Sequence, residues 1–365
     1  MALQNGISDK TSLLTRDNSL ILRGVAILFI VLHNFLHLGC FGFTGENEMS
    51  FSSENAAGFF NAISQGSSII GEFISHLGWI GVPVFVFLTG YGVALASSQK
   101  LKPLIYVKRN YLKLLALILP AVIFFAAYDI YLGEIWPRLL KRFSYLTMLV
   151  NFAYPYVRCS PGVYWYFGLT FQFYLLWAIV GKRMNSRALL IWSIVLLGAL
   201  CALCVYGPPE ALSIFRHCFT GWFPVFAFGV WLGVRKKQED LTPKSVWIEL
   251  VLLVVLLGLI LLMSRWMITW IFVPIIALAW FIIIGLLLMR TCYLSKAFRW
   301  VGKYSACIFV CHPIARLIVL KTLYHHYSNN VVNVLVYVAL SVVMAILYDK
   351  IYHWLLSKML PKAAA

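Results

Sequence analysis

Ten stretches of this chain are apolar over about the length needed to cross a bilayer. A bilayer core takes roughly 20 apolar residues per helix. Runs of that length lie at about 20–40, 76–97, 110–130, 162–181, 188–206, 214–234, 245–264, 266–289, 300–321 and 331–356. Helix is the one backbone state open to them, because a lone strand would leave its N–H and C=O groups unpaired in lipid. A shorter apolar stretch, 143–156, reads as re-entrant or interfacial. The expected fold is an all-α integral membrane protein, a bundle of about ten transmembrane helices over 20–356 with polar tails at 1–19 and 357–365. No small-residue cleavage site follows the first apolar run, so it is read as a retained span and not a signal peptide.

Composition agrees. The chain is 62% hydrophobic and 12% charged, where a soluble domain would carry about a quarter charged residues. A net charge of +17 raises a nucleic-acid partner, but the basic residues sit in short loops between apolar runs. That is the positive-inside bias and no nucleic-acid footprint. The segment 41–75 holds Glu46, Glu48, Glu54 and Glu72 with no Lys or Arg. The segment 98–113 holds Lys100, Lys102, Lys108, Arg109 and Lys113 with no acid. Further basic loops follow at 182–187, 235–244 and 290–303. With ten spans the basic loops share one side, the cytoplasm, and both termini lie there. The loop 131–161 breaks the contrast, with Arg138, Lys141, Arg142 and Arg158 on the expected outer side. Either the bias is diluted in a longer loop or these residues meet an anionic partner.

Motifs for soluble chemistry are absent. There is no P-loop, no G-x-G-x-x-G opening a soluble domain and no H-E-x-x-H, so metal, nucleotide-hydrolysis and dinucleotide readings have no support. Eight cysteines lie mostly in apolar runs, and Cys201 and Cys204, though spaced C-x-x-C, lack metal-like flanks. They read as small core residues.

What remains is polar residues at depth. His33 lies thirteen residues into the first run, roughly 20 Å deep at 1.5 Å per residue. His312 lies twelve residues into the ninth, entering from the same side. Ionisable residues inside a membrane are functional candidates, and histidine suits acid–base work near neutral pH. Asn34 and His37 flank His33; Trp165, Tyr166, Gln172 and Tyr174 sit on the fourth run; Arg316 shares the helical face of His312. Arg109 and Lys113 open the third run and either anchor it or bind phosphates.

These stretches resemble a known family in order. "LRGVAILFIVLH" is similar to the first-span signature of the acyltransferase 3 family of bacterial membrane proteins. "WIGVPVFVFLTGYGVAL", "VKRNYLKLLALILP", "VYWYFGLTFQFYLL", "FPVFAFGVWLG" and "FRWVGKYSACIFVCHP" resemble later elements. The resemblance implies an acyltransferase that moves an acyl group, often acetyl from cytoplasmic acetyl-CoA, to a hydroxyl of a cell-envelope or extracellular carbohydrate, commonly lipid-linked. It implies a multi-pass protein of the bacterial inner membrane. Carried over, His33 is the base or acyl-relay residue with Arg23 on its helix. Arg109 and Lys113 become coenzyme-binding candidates, and His312 belongs to the late element. Lacking the extra soluble domain of some members, the chain is expected to finish the transfer itself or hand over to a partner protein.

One departure stands out. The family's histidine lies eleven residues past the basic residue, where this chain has Asn34; His33 is at +10 and His37 at +14. At about 100° per residue His37 lies nearer the family's face, while His33 lies nearer in depth. Matching the depth of His312 favours His33. A transporter or flippase with a proton-relay histidine site is the competing reading; a purely structural protein would leave these polar residues without a task.

Overall fold

The computed structural model describes residues 12–38, 41–96, 102–153, 162–181, 184–235, 241–324 and 330–360. Among them every regular element is helical. Cys40, Cys159 and Arg158 lie outside the described residues, as do both chain ends.

In chain order the helices are α1 (Ser19–Leu36), α2 (Ser53–Ser64), α3 (Ile69–Leu77), α4 (Val82–Ala96), α5 (Pro103–Tyr131), α6 (Ile135–Leu146), α7 (Val150–Ala153), α8 (Trp165–Val180) and α9 (Ser186–Tyr206). There follow α10 (Pro209–His217), α11 (Phe219–Arg235), α12 (Val246–Met263), α13 (Met267–Trp270), α14 (Val273–Met289), α15 (Cys292–Lys303), α16 (Ser305–Thr322) and α17 (Asn330–Met359). Nine helical stretches among the described residues are long and apolar enough to cross a membrane, and they match nine of the ten expected runs. The tenth, 266–289, is broken: one turn ends at Trp270 and the continuous helix, Val273–Met289, is 17 residues long. The chain is a multi-pass membrane bundle.

Three other boundaries move for local reasons. The second run is interrupted by a 3-10 turn, Gly78–Gly81, just before Pro83, so α3 and α4 form a broken helix. The sixth run divides between α10 and α11. The ninth begins at Ser305 and not near Trp300, because 292–303 is a separate helix, α15, that packs along the start of α1. The stretch 143–156 is no single segment either. It comprises the end of α6, a turn with Met148 at φ 59°, and α7; residues 154–156 lie outside the described set.

Both described ends of the bundle lie together. The Tyr337 hydroxyl donates to the Val31 carbonyl at 3.0 Å, and its ring stacks on Phe35 at 4.2 Å. So α17 enters beside the end of α1 and, being antiparallel to it, leaves beside its start. There the N-terminal segment is tied down: Leu13 N–H donates to the Leu241 carbonyl at 2.8 Å and Arg299 donates to Asn18 at 2.7 Å. Lys102, Lys244, Arg290 and Lys303 flank helices at this same end, termed the basic end below. On α9 and α12 apolar side chains such as Ile191, Ile194, Val251 and Val254 are exposed. In a membrane those faces meet lipid, where an apolar surface carries no penalty.

One very close crossing joins α4 and α11. A Cβ on Gly90 would stand 2.2 Å from the Phe226 carbonyl oxygen, and one on Gly229 would stand 2.1 Å from that of Phe87. Backbones approach this closely only where side chains are absent.

The basic residues of the far-end loop are partly explained by α6. Arg138 and Arg142 both bind the buried Asp129 carboxylate, at 3.0 and 2.6 Å, and Arg138 also pairs with Glu134. Lys141 lies beside them, itself buried. Burial, with Arg142 and Arg138 alongside, pushes its ammonium from an ordinary value of 10.5 down to about 8. The unfolded chain therefore binds the extra proton between those two pH values, and stability rises with pH across that window. Lys141→Met should raise the melting temperature of the purified protein at pH 7, by the equivalent of about 1 kcal/mol after solvent screening. The advantage should vanish above pH 10.5. A lower melting temperature at pH 7 would show that the ammonium has a stabilising partner.

Candidate active site

A cavity of about 370 Å³ starts at the basic end and runs into the bundle between α1, α4, α5, α8 and α16. At that end Ala96 of α4 and Tyr106 of α5 line it. Arg23 lines it and remains accessible through it. The Arg23 guanidinium is electrostatically coupled to Tyr166 and Tyr174, and among the described residues no carboxylate pairs with it. A cation without a carboxylate partner, in a cavity also lined by Asn110, Thr89 and Thr170, is a candidate site for an anionic group.

Toward the bundle centre this cavity meets a second, much smaller one of about 20 Å³. Ile30, Val82, Tyr166 and Phe309 are walls of both. The small one, the inner slot, is closed by His33, Asn34, Glu48, Trp79 and Trp165. It holds little more than one water-sized group.

His33 reaches the slot because of its neighbours. It is buried in the last full turn of α1, and Gly78 lets the 3-10 turn press against it: a Cβ there would lie 2.6 Å from the His33 Cβ. The His33 Nδ1 lies 3.1 Å from the Ile74 carbonyl. A carbonyl only accepts, so Nδ1 carries the hydrogen and Nε2 keeps a free lone pair. That tautomer is the one a general base needs.

His37 is arranged differently. It caps α1, donates from Nδ1 to the His33 carbonyl at 2.7 Å and stacks on the His33 ring at 4.8 Å. It lines neither cavity. Asn34 lines the slot, but its amide donates to the Ile30 carbonyl at 2.8 Å.

His312 comes level with this turn: Phe309 walls the slot beside Ile30, and Arg316 donates to the Asn34 carbonyl at 2.7 Å. Its side chain nevertheless lies in packed protein. It is fully buried, its Nδ1 is 3.3 Å from the Ile308 carbonyl, its Nε2 has no partner, and it lines neither cavity. Depth in a helix had suggested a shared cavity; rotation about the helix turns His312 away from it.

The other expected residues divide. Trp165 walls the slot and stacks on Trp222 at 5.9 Å. Tyr166 and Tyr174 line the main cavity. Gln172 does not: its oxygen accepts the Phe219 N–H at 2.9 Å, which secures the start of α11. Arg109 and Lys113 are half-buried on α5 and line neither cavity; the α5 face on the cavity is Tyr106, Asn110, Leu114 and Leu117. Glu48, Trp79 and the buried Arg216 behind them escaped the sequence reading. The acidic "ENE" at 46–48 is the one signal of Glu48 in the sequence.

The acyltransferase 3 family model, described as an acyltransferase domain, matches residues 19–350. The chain belongs to this acyltransferase family. The match takes in α1 to α16 and most of α17, and with them every wall of both cavities. No curated protein and no solved structure gives a match. Membership fixes acyl transfer in a membrane as the class of activity.

Proposed function

We propose that this protein is an O-acyltransferase that takes an acyl group, most simply acetyl, from acyl-CoA entering at a cytoplasmic basic end. It passes the group to a hydroxyl of a cell-envelope or extracellular glycan. The observation that carries this reading is the continuous wall between an Arg23-lined cavity and the His33 slot. Arg23 supplies a cation for a phosphate of the donor, with Lys113 and Arg109 on α5, which also walls the cavity. The pantetheine arm then lies along apolar walls, and the thioester comes to rest at the narrowing near Phe309 and Tyr166.

The chemistry follows from the His33 tautomer. Nε2 takes the proton of the acceptor hydroxyl as its oxygen attacks the thioester carbonyl. An O–C bond forms, the C–S bond breaks, and the imidazolium returns the proton to the departing sulfur. Transfer is most direct in the bacterial inner membrane, with the donor arriving from the cytoplasm and the glycan from the far side.

The test is mass spectrometry of envelope glycans from cells with and without the protein. A shift of one acetyl or one succinyl mass names the acyl group; an unchanged glycan mass sinks the reading. In the purified protein Arg23→Ala should weaken acetyl-CoA binding by about tenfold or more. Movement of intact glycan across proteoliposomes with no change in mass would favour the transporter reading.

A further inference from the structure

The loop between α1 and α2 is held with unusual completeness. Five successive carbonyls each accept a side-chain hydrogen bond from a different residue. Thr44 accepts from Ser75 at 2.7 Å, Gly45 from His76 at 2.7 Å, Glu46 from Asn55 at 2.9 Å, Asn47 from Trp270 at 2.6 Å and Glu48 from Arg216 at 2.8 Å. The donors come from four helices, so the path of this irregular segment is set by tertiary contacts.

Arg216 is the one guanidinium among these donors. It is fully buried, with its guanidinium 4.6 Å from the Trp222 ring and 4.7 Å from that of Trp270. Its hydrogen bond goes to the Glu48 carbonyl, and among the described residues no cation forms an ion pair with the Glu46 or Glu48 carboxyl. Glu46 instead accepts the Glu48 N–H. Glu48 lines the slot together with His33 and Asn34. Beside it stands Trp79, only 1% exposed, whose indole N–H has no acceptor. A buried donor without an acceptor costs free energy unless something supplies one.

We propose that Glu48 and Trp79 hold the acceptor hydroxyl in the slot by hydrogen bonds while His33 takes its proton, with Arg216 positioning Glu48 through the loop backbone. This rests on the acyl-transfer reading above. The chemistry of the walls fits a sugar: a carboxyl for a hydroxyl hydrogen, an indole N–H for a hydroxyl oxygen, and the Trp165 ring for a C–H face. The slot volume admits one hydroxyl, so the remainder of the glycan stays outside it. Burial, and next the neighbouring Glu46, raise the Glu48 carboxyl well above the usual carboxylate range. A neutral carboxyl both donates and accepts, which suits holding a hydroxyl and does not suit competing with His33 for its proton.

The experiment uses the full chain in cells lacking the native copy, with the acylated fraction of the cells' own glycan as one readout. The other readouts are acetyl-CoA binding and melting temperature of each purified variant. Glu48→Ala should lower glycan acylation at least about tenfold, with acetyl-CoA binding within about twofold of the parent. Glu48→Gln, which keeps both donor and acceptor, should retain most of the acylation. Trp79→Phe, which loses only the N–H, should lie between them. Wild-type acylation in Glu48→Ala overturns the assignment. So does a Gln variant as inactive as the Ala variant while melting normally, since that would mean the charge is needed. Equal loss of acetyl-CoA binding would move Glu48 to the donor side and also overturn it. If the deletion strain shows no change in glycan mass, acyl transfer itself fails, and this assignment falls with it.

Discussion

Replacing His33 with alanine should reduce glycan acylation by about 10²–10⁴-fold, the usual range for removing a positioned general base. Acetyl-CoA binding should survive, because the donor's anionic contact is at Arg23, toward the other end of the cavity. The loss should fall on kcat and leave the donor KM nearly unchanged. His33→Asn, closer in volume, should be equally inactive and melt nearer to the parent. His37→Ala should lose about tenfold or less, since His37 reaches the slot only through its stacking on His33 and its bond to the His33 carbonyl. The reverse order, with His37→Ala inactive and His33→Ala active, would transfer the role one turn along the helix. Activity in the double variant would remove histidine from the mechanism altogether.

Gly229→Val should abolish folded protein. The side chain would enter the space of the Phe87 carbonyl, where even a Cβ would stand at 2.1 Å. An obstruction made of backbone cannot rotate away, so α4 and α11 would have to separate. Phe226 would lose its 4.2 Å stack on Phe173, and the α4 residues that wall the donor cavity would shift with it. The expected cost is about 3 kcal/mol or more, read as absence of a monodisperse peak in detergent or a large fall in melting temperature. Gly198→Ala is the matched control. Nothing lies within 4 Å of its Cβ position, so it should be neutral or slightly stabilising through helix propensity. A well-folded Gly229→Val protein would show that the crossing has slack.

Membrane class, the number of runs and the basic-loop asymmetry were legible in the sequence because each is local. A run of twenty apolar residues is informative whatever it packs against. Boundaries were less legible wherever a run contained a break that packing chose. Trp270 ends one turn of helix where its indole meets the Asn47 carbonyl, and α15 leaves the ninth run to lie along α1. In the site, His33, Asn34, Trp165, Tyr166 and Tyr174 stand out in the sequence as polar or aromatic residues at depth, Arg23 only through the family resemblance, and all six line a cavity. Gln172, His312 and Arg316 carried the same signal but satisfy packed backbone.

The sequence alone determined what kind of solvent this chain must accept and which helices are available, since hydrophobicity and length act residue by residue. It also narrowed the candidate base on α1 to one turn, His33 or His37. Which histidine of that turn faces the slot was decided by tertiary structure, through Gly78 and the Ile74 carbonyl from a helix forty residues away. Glu48 was decided there too: its loop has no regular backbone of its own, and its path exists only because side chains from four helices hold five carbonyls in a row.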